Sequence, residues 1–129
     1  MSARAVGRAV TAVLDGEGVG AATVSVTFLT PAAMRGLNRR ALARDRATDV
    51  IAFRLPHPDR VVGDVYVCPG AAQPPAGAAA ARREETLRLV VHGMLHALGY
   101  DHPERDGRTV SRMWRKQEDY VRGLRKRSR

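Results

Sequence analysis

The chain of 129 residues has a single cysteine, Cys68, and no long apolar run. One cysteine cannot form a disulfide within the chain, which excludes a disulfide-stapled scaffold and fits a reducing cytoplasm. Residues 1–14 build no apolar segment of signal-peptide length, and no run approaches the roughly 18 apolar residues of a membrane span. These absences predict a soluble cytoplasmic protein with no membrane partner.

Acidic residues are also scarce, with 13 against 22 basic residues and a formal net charge of +9. Nearly all of the basic residues are arginine, whose planar guanidinium pairs with phosphate through two hydrogen bonds. A strongly positive field attracts nucleic acid and makes the affinity fall with salt. The charge therefore favours a polyanionic partner, although a genome rich in guanine and cytosine also encodes many arginines.

The hydrophobic pattern predicts one α+β domain over residues 1–129, large enough to fold without disulfides. Helical spacing predicts helices at residues 3–14, 31–40, 82–98 and 104–125. Alternation predicts strands at residues 24–29, 49–54 and 61–68, the last two as a hairpin. Residues 69–81 are predicted to be a loop, and Cys68 a small core or strand residue. The predicted architecture is a small mixed sheet packed with helices.

Three of the four histidines follow the pattern His92-x-x-x-His96-x-x-Gly99-x-x-His102. Residues four apart on a helix have Cβ atoms roughly 5–6 Å apart, so His92 and His96 can bind one ion as neutral imidazoles. Gly99 supplies the left-handed conformation that ends helices, which lets the chain bring His102 round as a third ligand. Structural zinc sites are closed by four protein ligands, whereas three histidines leave a position open for catalysis. The spacing therefore predicts a catalytic metal site on a long helix and the turn after it.

Gly93 occupies the position at which metzincin proteases, which share this histidine spacing, carry the glutamate that acts as general base. Its presence disfavours peptide hydrolysis. A glycine inside a helix costs about 1 kcal/mol relative to alanine, which indicates a close approach to the backbone near the ion. We therefore expect a polyanionic substrate to approach along Gly93, so that a Gly93→Glu variant keeps its fold and metal but repels the substrate.

The histidine run, with glycine second and Gly-Tyr-Asp before the last histidine, occurs together with Ala-Thr-Asp-Val-Ile-Ala-Phe at residues 47–53 and Gly-Asp-Val at residues 63–65. With these segments the chain resembles the YbeY endoribonucleases, bacterial ribosomal-RNA maturation factors, over nearly the whole domain. The resemblance implies one Zn²⁺ per chain, bound by His92, His96 and His102. It also implies cleavage of single-stranded RNA in small-subunit ribosomal RNA 3′-end processing and in late ribosome quality control. The implied partners are RNA and the small ribosomal subunit.

One functional arginine of the family has no match at its own position. The resemblance places it in a Tyr-Arg pair shortly before Pro-Thr-Asp-Val, where this chain has Ala41-Leu42, and Ala47 replaces the proline. The arginines close by are Arg39, Arg40, Arg44 and Arg46. We take Arg40 and Arg44 as the candidate catalytic residues, which would offset charge developing on the phosphate.

Two other functions fit the same residues. A non-catalytic ribosome-assembly factor would use the ion to stiffen the fold and would bind RNA without cleaving it. A metal-dependent hydrolase of a small phosphorylated or amide substrate is the other candidate, which the basic surface disfavours but does not exclude. For a nuclease, the sequence leaves open whether water or the 2′-hydroxyl of the substrate is the nucleophile.

Overall fold

The computed structural model describes residues 1–42, 48–69, 79–100 and 112–127 of the chain. These residues form an α+β domain, as predicted. In chain order the elements are α1 (Ala3–Gly16), β1 (Ala22–Phe28), α2 (Pro31–Leu42), β2 (Val50–Leu55), β3 (Val61–Val67), α3 (Ala79–Ala97) and α4 (Arg112–Arg127). None of the helices in these ranges has the length and apolarity needed to cross a membrane.

Hydroxyl side chains cap the first two helices. Ser2 Oγ accepts a hydrogen bond from the Ala5 backbone N–H at 3.1 Å, and Thr30 Oγ1 accepts one from Ala33 at 3.2 Å. Pro31 follows Thr30 as the first residue of α2, where its fixed φ suits the helix and its missing N–H leaves no donor unsatisfied. The predicted start of α2 is confirmed.

The three strands form a mixed sheet in the order β1-β3-β2. β2 and β3 are antiparallel, with Val50 opposite Val67, which confirms the predicted hairpin. β1 pairs in parallel with β3, with Val24 opposite Gly63. A parallel pair requires a long crossover, and α2 and β2 provide it here. β3 is therefore the central strand.

Successive side chains of a strand point to opposite faces of the sheet, and the two faces carry separate clusters of buried residues. On one face, Val65 and Val67 of β3 belong to the main core with residues of α1, α3 and α4. On the other, Cys68 packs with Met34 of α2 and Ile51 of β2. Cys68 is fully buried, as expected of a small core residue.

Helix α3, which carries two of the predicted metal ligands, contacts the sheet, α1 and α4. It is buried on more than one face, because neighbours surround it on several sides. The buried residues of α3 are Leu89, Val90, Val91, Gly93, Met94, Leu95 and Ala97.

Where both are described, the predicted ends of the helices and strands lie within two residues of the observed ones, except at the start of α3. Helix α3 begins at Ala79 rather than at residue 82, so residues 79–81 are helical and the prediction of a loop there is wrong. Alanine has the highest helix propensity of all residues, so the alanine run extends the helix towards its N-terminus. The rest of the predicted loop from residue 70, and the predicted start of the last helix at residue 104, lie outside the described residues.

Candidate metal centre

Two of the predicted metal ligands come together on α3. His92 and His96 lie one helical turn apart, and their Nε2 atoms are 3.0 Å from each other. The ring centroids are 4.6 Å apart, with an interplanar angle of 81°. Two imidazole nitrogens bound to one tetrahedral zinc at about 2.0–2.1 Å would be roughly 3.3 Å apart. The pair therefore fits two adjacent ligands of one zinc ion.

The other ring nitrogen of His92 contacts a residue that the sequence did not single out. Nδ1 of His92 lies 2.6 Å from Oε1 of Gln117, which belongs to α4 and is 4% exposed. Histidines that bind metals usually donate their second N–H to such an acceptor, which orients the ring. A signal was present in the sequence, because Gln117 interrupts an apolar stripe at helical spacing. The buried apolar residues of that stripe are Met113, Val121 and Leu124.

The third predicted ligand, His102, lies outside the described residues, and so does the candidate catalytic residue Arg44. Among the residues that are described, no three histidine, cysteine, aspartate or glutamate side chains converge on one point. The predicted turn that leads towards His102 does begin as expected. Gly99 has φ +102°, and the Tyr100 N–H donates to the Leu95 carbonyl at 3.0 Å, so the helix ends at a glycine in the left-handed region. The role of His102 as a ligand stays a prediction.

Gly93 is buried against the sheet, not open to a substrate. A Cβ atom at this position would lie 2.4 Å from Val65 Cγ1 and 2.9 Å from Val50 Cγ2, both closer than real contacts allow. The close approach that the sequence indicated is therefore made by side chains of β3 and β2. The expectation that Gly93→Glu keeps its fold is wrong, because a glutamate has no room there and its carboxylate would be buried.

Arg40, the other candidate catalytic residue, lies exposed in the last turn of α2 beside the exposed Arg39. Its guanidinium lies over Gly36, where an added Cβ would be 3.1 Å from Nη1. A catalytic role for Arg40 stays a prediction, and its exposure leaves the guanidinium available to a phosphate.

The chain just after Gly99 is held by a cluster around Glu17, at the end of α1. The Glu17 carboxylate, 8% exposed, accepts hydrogen bonds from the hydroxyls of Tyr100 and Tyr120 and from Lys116 Nζ at 3.0 Å. Burial by itself would raise the pKa of Glu17, but the three donors and the Lys116 charge outweigh it and hold the pKa below its usual value. Burial, and then the hydrogen bond to Glu17, raise the pKa of Tyr120. The cluster thus joins α1, α4 and the segment that leads to His102.

We expect Glu17→Gln to lower the free energy of unfolding by about 1–3 kcal/mol at pH 7, because hydrogen bonds to a buried charge are lost. The pKa of Glu17 is lower in the folded state, so its contribution is fully present above the unfolded pKa of about 4.3 and is lost as pH falls through the folded pKa. The free energies of unfolding of the wild type and of Glu17→Gln, measured with urea, should therefore converge as the pH falls from 7 to 3. The matched control is Asp119→Asn, since the Asp119 side chain is 69% exposed and its ion pair with Arg122 should contribute less than about 1 kcal/mol. Equal losses in the two variants would contradict the role of the cluster.

Known proteins are similar to this chain along most of its length. The family model described as Endoribonuclease YbeY matches residues 2–125. The Endoribonuclease YbeY of Pelotomaculum thermopropionicum is 37% identical over 124 residues, which cover 88% of this chain and 80% of that protein. The one from Thermotoga petrophila is 36% identical over 104 residues, covering 80% and 68%.

A solved structure agrees with these sequences. The solution structure of TM1509 from Thermotoga maritima matches with a TM-score of 0.62 and 30% identity, covering 95% of this chain and 83% of that one. The match extends along nearly the whole chain in sequence and in fold. On these grounds the chain belongs to the YbeY endoribonuclease family.

Proposed function

We propose that this chain is a zinc-dependent endoribonuclease that cleaves single-stranded RNA. We propose further that it acts in the cytoplasm on ribosomal RNA of the small subunit, in 3′-end processing and in ribosome quality control. The observation that carries the proposal is the pair of Nε2 atoms of His92 and His96, 3.0 Å apart, in a chain of the YbeY family.

The residues that would hold the zinc are His92, His96 and His102. Each supplies an imidazole nitrogen, a ligand that zinc accepts readily. When bound, the ion would supply Lewis-acid polarisation of the phosphate and would lower the pKa of a water molecule. The chain itself contributes the orientation of the ligands, because α3 fixes the spacing of His92 and His96 and Gln117 holds the ring of His92.

The proposed RNA contact depends on the charge of the chain. A net charge of +9 attracts a polyanion over a distance of about 8–10 Å at physiological salt. Arg39 and Arg40 are exposed at the C-terminal end of α2, and Arg44 follows two residues after the helix ends. These arginines would bind phosphates and offset the negative charge that develops during cleavage.

The proposal is tested by incubating zinc-replete protein with labelled single-stranded RNA and with a duplex of the same length. We expect about one zinc per chain, internal cleavage of the single strand, little cleavage of the duplex, and loss of activity on chelation that zinc restores. If the zinc-loaded protein binds RNA without cleaving it, the chain is instead a non-catalytic assembly factor. If the reconstituted protein retains no zinc, the metal site itself is wrong.

We expect reversal of both charges in Arg39→Glu, Arg40→Glu to weaken RNA binding more than the same reversal in Arg4→Glu, Arg8→Glu. All four arginines are exposed on helices, so the two double variants change the net charge equally and form a matched pair. Each lost phosphate contact should reduce the slope of log affinity against log salt by about one unit. Fluorescence anisotropy over a salt series measures the slope. Equal weakening in the two variants would mean that only net charge matters.

A further inference from the structure

Three polar side chains, Arg88, Glu118 and Gln117, link the surface of α3 to the ring of His92 through hydrogen bonds. Arg88 Nε donates to both oxygens of Glu118 at 3.0 Å, and Glu118 Oε2 accepts from Gln117 Nε2 at 3.1 Å. Gln117 Oε1 then lies 2.6 Å from His92 Nδ1. Arg88 Nη2 also donates to Glu84 Oε1 at 2.9 Å, which holds the Arg88 guanidinium on α3.

The orientation of the Gln117 amide follows from the charge of Glu118. An ionised carboxylate can only accept hydrogen bonds, so the group that faces Glu118 must be the NH₂ of Gln117. Arg88 holds the Glu118 carboxylate in place through Nε, which contacts both oxygens, and through Nη2, which lies 3.0 Å from Oε1. With NH₂ directed at Glu118, the carbonyl oxygen Oε1 is the end that faces His92.

The tautomer of His92 follows from the same reasoning one step further along. A carbonyl oxygen can only accept, so the hydrogen of a neutral His92 must be on Nδ1. Its Nε2 then carries a lone pair, and this is the nitrogen that lies 3.0 Å from Nε2 of His96. Metal ligation requires a lone pair on the nitrogen that faces the ion.

We propose that Gln117 is a positioning residue that selects the Nδ1–H tautomer of His92, and that Glu118 with Arg88 determines which end of the Gln117 amide faces the ring. The effect on zinc affinity rests on the proposed zinc site, whereas the tautomer of His92 is a property of the metal-free protein. Gln117 acts through His92 and does not contact the reacting atoms.

The test compares the wild type with Gln117→Met and Gln117→Glu. Methionine matches the length of glutamine and fills the same buried space without an acceptor oxygen. Glutamate keeps an acceptor for the Nδ1–H but loses the NH₂ that donates to Glu118 Oε2. Nitrogen-15 NMR of the imidazole rings in the metal-free protein reports the tautomer of His92. Competition with a chelator reports the zinc affinity.

We expect His92 to be in the Nδ1–H form in the wild type and in Gln117→Glu, and to shift towards the Nε2–H form in Gln117→Met. Zinc affinity should fall about 10–100-fold in Gln117→Met and should fall less in Gln117→Glu, which keeps the acceptor for the Nδ1–H but loses the bond to Glu118. If Gln117→Met changes neither the tautomer of His92 nor the zinc affinity, the proposal is overturned and Gln117 is a core residue only.

The design separates this inference from the zinc proposal. If the wild type binds no zinc, the zinc site fails, while the NMR measurement still decides whether Gln117 sets the tautomer. If Gln117→Met does not fold, Glu118→Gln serves instead, because an amide at residue 118 can also donate and no longer dictates how Gln117 faces His92. We then expect a mixture of both tautomers, and an unchanged Nδ1–H form in Glu118→Gln would overturn the role of Glu118.

Discussion

Replacing His92 and His96 together by alanine is expected to abolish stable zinc binding and to lower RNA cleavage by about 10³-fold or more. The two Nε2 atoms lie 3.0 Å apart and would provide two of three protein ligands, so their loss leaves His102 alone. A catalytic metal ion contributes several kcal/mol to the stabilisation of the transition state, and each 1.36 kcal/mol corresponds to a factor of about ten in rate. Metal analysis after dialysis and cleavage of labelled RNA measure the two effects.

The matched control is His57→Ala. His57 is exposed in the turn between β2 and β3, and its Nδ1 accepts a hydrogen bond from the Asp59 N–H at 3.1 Å. Its removal should leave zinc content and cleavage unchanged.

The single variant His96→Ala tests the same site if the double variant does not fold. His92→Ala deprives the buried Gln117 Oε1 of the Nδ1–H donor, which costs about 1–3 kcal/mol, whereas His96→Ala leaves that contact in place. Retention of a full zinc complement by a folded His96→Ala protein would refute the three-histidine site.

Gly93→Ala is expected to destabilise the domain by about 1–3 kcal/mol, although alanine is the better helix former. The added Cβ would lie 2.4 Å from Val65 Cγ1 and 2.9 Å from Val50 Cγ2. Both neighbours are β-branched residues on paired strands, whose side chains have little freedom to rotate away, and overpacking of this kind typically costs 1–3 kcal/mol. The gain in helix propensity, at most about 1 kcal/mol, does not offset it. Urea unfolding gives the free-energy difference.

Gly7→Ala is the control for Gly93→Ala. Gly7 also lies within a helix, α1, but an added Cβ there meets no atom within 4 Å. Alanine at this position should therefore raise the free energy of unfolding by about 0.5–1 kcal/mol. The two substitutions thus have opposite expected signs. A stabilising Gly93→Ala would show that α3 can move away from the sheet, and the account of Gly93 as a packing glycine would have to be abandoned.

Features that depend on residues close together in the chain could be predicted from the sequence. The turn of helix that brings His92 to His96, the end of α3 at Gly99 and the N-cap at Thr30 each involve residues no more than five positions apart. Helical periodicity and the left-handed preference of glycine operate over that distance in almost any fold. The hairpin of β2 and β3 belongs to the same class, since only a short turn separates its strands.

Contacts between residues that are distant in the chain depend on the tertiary structure and could not be predicted from the sequence. Gln117 meets His92 across 25 residues, and Glu17 meets Tyr100 across 83. The sequence marked Gly93 as a place of close approach, but it did not say that Val65 and Val50 are what approaches.

The physical reason for this difference is how far apart the contacting residues are in the sequence. Backbone geometry makes neighbouring residues meet in nearly every packing, whereas contacts between elements form only when helices and strands are docked in one arrangement. The pattern of residues therefore determined which histidines share a helix face. The docking of α4 on α3 decided which residue of α4 meets Nδ1 of His92.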